Sequence, residues 1–181
     1  VPNQADPSPG PQEIAIIGEA PRVFRVAMLG RLALTAWFGQ LDKASAQVLA
    51  RVNDDVITRL NGERCSSVHL VNTRVKLPDA DARDVLAKIM RDSVKSVACA
   101  TVIIDGGGFW ASALRSFITG LRVLAPGSID LHAHASIAEV LAWLPAEHFK
   151  RAGTQVDAAQ LERLLVAGKR WLEQEALTAK A

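Results

Sequence analysis

The chain has 181 residues, 49% of them apolar and 22% charged, which is enough for one domain with a full core and too apolar for a disordered chain. Net charge is +2, no run of Lys or Arg stands out and Tyr is absent, so a nucleic-acid surface of basic patches and stacking aromatics is disfavoured. No apolar run reaches the roughly 20 residues that cross a bilayer, and the N-terminus does not read as a signal peptide.

Val1 to Gln12 (VPNQADPSPGPQ) is rich in Pro, Gly and Ser and reads as an extended tail. Glu13 to Ile17 is a short edge-strand candidate. Val23 to Leu29 and Leu32 to Phe38 flank Gly30 and Arg31, a spacing that predicts a hairpin with a type II′ turn. A helix over Leu41 to Leu60 would bury Leu41, Ala44, Val48, Val52, Val56 and Leu60, with Gly62 as its left-handed cap. Ser67 to Val71 is a strand. Asp79 or Asp81 caps the next helix, whose inner face is Ala82, Val85, Leu86, Ile89 and Met90.

Val97 to Leu144 is the most ordered stretch. Val97 to Ile104 is a β-branched apolar run, as in a strand buried on both faces. Gly106, Gly107 and Gly108 end it. Phe109 to Leu124 carries a helical stripe, and Ile129 to Ala133 is a short strand. Ser136 and Glu139 form a capping box for a helix with Val140, Leu141 and Leu144 inside. A polar linker follows Pro145. The last helix, from about Asp157 to Leu177, is amphipathic and either folds back on the sheet or meets another chain.

This order predicts an α/β domain: a single mixed, largely parallel sheet of about four or five strands flanked by helices, with an extra C-terminal helix. The divisions are a tail over 1–12, the α/β domain over 13–146, and a linker with an amphipathic helix over 147–181. Cys65 and Cys99 read as reduced core residues, which fits a cytoplasmic protein.

Three stretches carry a resemblance: PDADAR at Pro78 to Arg83, GFWASALRSFITGL at Gly108 to Leu121, and SIAEVLAWL at Ser136 to Leu144. Together they resemble the SpoIIAA-like, or STAS/SEC14-like, domains of uncharacterised bacterial proteins, over roughly Val23 to Leu144. The resemblance implies a small α/β regulator or module. Anti-sigma-factor antagonists of this group carry a phosphorylatable Ser in an Asp-Ser-Ser-Gly-like turn. Here the corresponding turn reads Asn72, Thr73, Arg74, Val75, which leaves Thr73 as the phosphorylation candidate. The SEC14 side of the resemblance implies a lipid pocket.

No coherent catalytic set emerges. Gly106 to Gly108 precede a helix start and are either an anion-binding turn or a tight strand-to-helix turn. With Phe109 and Trp110 they are the candidate ligand site. His132 and His134 share a strand face, with Asp130 nearest, but two imidazoles do not make a zinc site. No metal or cofactor is expected. Cys65 and His69 share a face if their strand begins early, and read as a core pair rather than a nucleophile and base. Asp79, Asp81 and Asp84 are explained by the helix start. Leu161, Leu165, Trp171 and Leu172 are the candidate interaction surface. The expected function is a non-enzymatic regulatory or scaffold module that works through a protein partner or a homo-oligomer. The alternative is a domain that binds a small apolar or phosphate-bearing ligand.

Overall fold

The computed structural model describes residues 13–72, 75–104, 108–125, 127 and 129–178. The segment 1–12, Thr73, Gly106 and Gly107 lie outside the described residues. One sheet runs through the molecule in sequence order, β1 (Ala15–Ala20), β2 (Phe24–Leu29), β3 (Leu32–Trp37), β4 (Cys65–Val71), β5 (Val97–Ile103) and β6 (Leu131–His134). The first three strands are antiparallel, and β3 to β6 are parallel. The sheet therefore has six strands rather than four or five. The difference lies at the edges, where β1 pairs with β2 across a bulge and the short β6 pairs fully with β5.

At the β2–β3 hairpin Gly30 has φ 58° while Arg31 stays at negative φ, which is the pattern of a type II′ turn. Helices α1 (Lys43–Leu60), α2 (Ala80–Asp92) and α3 (Gly108–Leu124) link the parallel strands. Crossovers of one hand, each moving to the next strand in the same direction, put all three on one face. Asp42 caps α1 and Asp79 caps α2, each carboxylate accepting an N–H three residues on at 2.8 Å. The inner stripe of α1 is Ala46, Leu49, Val52, Val56 and Leu60. Leu41 precedes the helix and Ala44 faces water, so the expected stripe is rotated at its start. The helix ends on two left-handed residues, the cap Asn61 at φ 47° and the expected Gly62 at φ 86°.

The opposite face is covered by α4 (Ile137–Ala152) and α5 (Ala158–Thr178). Ser136 caps α4, while the Glu139 carboxylate accepts the Ala135 N–H at 2.9 Å. The linker expected after Pro145 is in fact helix. An internal Pro forfeits one backbone hydrogen bond and costs about 3 kcal/mol. Burial of Leu144 before it and His148 after it offsets that cost, and the helix ends at Gly153, φ 70°. Asp157 opens α5 by accepting the Ala159 N–H at 2.9 Å.

Leu161, Leu164 and Leu165 are fully buried in one cluster with Leu29, Leu34, Val68 and Leu70. The approach is close. A Cβ on Gly168 would lie 2.5 Å from Leu34 Cδ2 and 2.6 Å from Leu70 Cδ1. The last helix thus takes the fold-back arrangement.

Candidate functional site

The α1–α3 side of the sheet is not filled. Alternation puts Ala33, Thr35 and Trp37 of β3, and Cys65, Ser67, His69 and Val71 of β4, on this face. Several of these side chains are small, and the three helices stand across them like a roof. The result is an apolar cavity of about 190 Å3. An apolar cavity of ~150 Å3 holds benzene. Leu86, Ile89 and Met90, expected as the buried face of α2, are only half-buried because they line this space.

Trp110 belongs to the cavity wall, and its indole N–H donates to the Val75 carbonyl at 2.8 Å. Its neighbour Phe109 is 91% exposed. Gly108 has φ 87° and is the first residue of α3. Of the candidate ligand site, then, Trp110 faces the cavity and Phe109 faces water.

Three polar side chains form a chain on the cavity floor. The Trp37 indole N–H lies 3.3 Å from His69 Nδ1, and His69 Nε2 lies 3.1 Å from Ser67 Oγ. An indole nitrogen only donates. His69 Nδ1 must therefore accept, its proton sits on Nε2, and Ser67 receives it. Protein surrounds the ring, and the surface it keeps is turned into the cavity. Loss of solvation holds the imidazole down to a pKa of about 4. Cys65 shares this face, but the pleat puts it about 13 Å along the strand from His69. Its thiol is pushed up to about 12 by burial. The pair does not meet as nucleophile and base.

A second polar chain lies on the opposite face. Ser66 Oγ is 2.7 Å from His148 Nδ1 and 3.0 Å from Cys99 Sγ, and His148 Nε2 is 3.0 Å from Thr154 Oγ1. Ser66, Cys99 and His148 are fully buried. Burial raises the Cys99 thiol and lowers the His148 imidazole, with Arg31 and Arg64 adding to the latter. A sealed, protonated thiol is inert as a nucleophile. The chemistry of this set is cohesion between β4, β5 and α4. His148 lies past Pro145, where helix propensity predicts a linker, so no local pattern points to it.

His132 and His134 both face the Trp143 ring, each 4.8 Å from it between centroids. Asp130 is 2.9 Å from His132, and Glu139 is 3.7 Å from His134. Among the described residues no group of three or more His, Cys, Asp or Glu side chains is placed to hold a metal ion. Asp79 caps α2 and Asp81 pairs with Lys43 at 3.1 Å.

Of the candidate interaction surface, Leu161 and Leu165 are core, while Trp171 and Leu172 are half-buried at its edge, with Arg25 5.4 Å above the Trp171 ring. The leucines expected to meet a partner are spent inside the chain's own fold. No described helix is long and apolar enough to cross a membrane, and both cysteines are free and buried. No protein-family model matches the chain, and neither a curated protein nor a solved structure matches it.

Proposed function

We propose that this chain is a non-enzymatic binding module whose ligand is a small apolar molecule held between the sheet and the α1–α3 layer. The supporting observation is the cavity itself, about 190 Å3 of space with an almost wholly apolar wall. Ligand sites have this character, mostly apolar with a few placed polar groups. The two polar chains do not add up to a reaction, because neither sets an activated nucleophile beside an open space. The SpoIIAA-like resemblance and a reduced, cytoplasmic setting are part of the same reading, the latter supported by the two free thiols.

Isopropylbenzene is a suitable first probe. Trp37 and Trp110 both stand in the wall, so saturable binding changes the tryptophan fluorescence and perturbs the NMR signals of Leu86, Ile89 and Leu114. A titration that leaves those signals unmoved removes the reading.

A second reading, regulation through a protein partner or a second copy, rests on the outer side of α3. There Phe109 is 91% exposed and Val123 76%, and an exposed apolar face invites association. It predicts a mass by light scattering that rises with concentration for the full chain and stays monomeric for Phe109→Ser. A monomer at every concentration rules out self-association.

A further inference from the structure

We propose that the cavity selects a neutral, compact molecule of about six to ten heavy atoms that carries one hydrogen-bond acceptor, a carbonyl above all, and that the Ser67 hydroxyl reads it. The proposal rests on the apolar-ligand reading above and names its chemistry.

The directions of the hydrogen bonds are fixed. Trp37 donates to His69 and His69 donates to Ser67. Ser67 Oγ is then an acceptor in this chain, and its own O–H proton is left over. No acceptor among the described residues receives it. Two other polar groups on the wall are engaged elsewhere. The Trp110 indole is held by the Val75 carbonyl, and Ser93 donates to Asn53 at 3.1 Å. Thr35, paired in register with His69, stands on the same wall as a second hydroxyl. The Ser67 O–H proton is therefore free to be given to a ligand, and a carbonyl oxygen is a group that takes it.

The same geometry excludes an anion at that position. Among the described residues the one charged side chain on the wall is Lys76, which is exposed. A carboxylate at Ser67 would be buried without a countercharge, which is very costly. His69 does not supply one. A proton added to Nδ1 would face the Trp37 N–H, donor against donor. Size sets the other limit, since about 190 Å3 admits a monocyclic aromatic or a short branched chain and no two-tailed lipid.

The test uses three probes of nearly one shape on the full chain: isopropylbenzene, acetophenone and benzoate. Binding is followed by tryptophan fluorescence and checked by calorimetry. Acetophenone should bind about ten-fold tighter than isopropylbenzene, the worth of one net hydrogen bond, and benzoate should not bind. Ser67→Ala should erase the preference for acetophenone over isopropylbenzene. Equal binding of acetophenone and isopropylbenzene, or tighter binding of benzoate at Lys76, overturns the acceptor proposal and leaves the apolar cavity reading intact. Loss of all three removes both. The comparison of probes on the unaltered chain does not depend on any variant folding.

Discussion

Between pH 7 and pH 4.5 the folded chain loses about 2 kcal/mol of stability through His69 alone. The imidazole titrates near its ordinary 6.5 when the chain is unfolded and at about 4 in the fold. As pH falls through 6.5 the unfolded state takes up a proton that the folded state refuses. Stability is therefore full above about pH 7, falls steadily below 6.5, and levels off once the folded ring also protonates near 4. His148 pulls in the same direction, because burial and then Arg31 and Arg64 hold it low, and His134, lowered chiefly by burial, adds to it. Carboxylates contribute later. Glu147, held low by its hydrogen bond from Arg151, gives up its share only as pH drops through the carboxylate range. Urea unfolding at pH 7.0, 6.0, 5.0 and 4.5 reads the slope. His69→Gln should flatten most of it, since Gln keeps a donor and an acceptor without a titrating ring. A wild-type midpoint that stays constant from pH 7 to 5 contradicts the buried, neutral His69.

Truncating Leu165 has a comparable cost for a different reason. Leu165 is fully buried beside Leu34, Leu70 and Leu144. Leu→Ala at such a site removes transfer free energy and leaves a cavity, for about 2 to 5 kcal/mol. Leu177, on the same helix, is 69% exposed, and Leu177→Ala should stay within about 0.5 kcal/mol. The informative control is protein concentration. If α5 closes on its own sheet, the loss in Leu165→Ala is the same at 1 and at 100 µM. A destabilisation that grows on dilution would mean that the helix is held by a second chain.

Much of this architecture is legible from short-range chemistry. Asp79, Ser136 and Asp157 sit at helix starts as their side chains require, and Gly30 is the one residue of its turn that takes positive φ. The β-branched run at Val97 does become a strand buried on both faces. The misreadings share a cause, namely local rules overruled by long-range packing. Pro145 is a stop signal by propensity, but Leu144 and His148 on either side of it are drawn into the core. The site was harder still. Trp37, Ser67 and His69 were each readable as strand residues, yet nothing local says that β3 and β4 are parallel with Thr35 opposite His69. That register alone brings Trp37 within reach of the ring. The void depends on what the helices fail to fill, and no periodicity announces a missing side chain.

The strand order has a consequence for how the chain is made. Each strand is laid beside the one before it, so the sheet can grow by simple addition as residues emerge, and α1 to α3 cover one face along the way. The other face has no such running cover. Leu34 and Leu70 wait, bare, until α5 returns across the sheet from residues 158–178. Until α5 is made the nascent chain therefore carries an open apolar surface, the kind of surface on which holding chaperones act and from which aggregation starts. Helix α5 closes that face, and any slowing of translation before it lengthens the time that surface stays open.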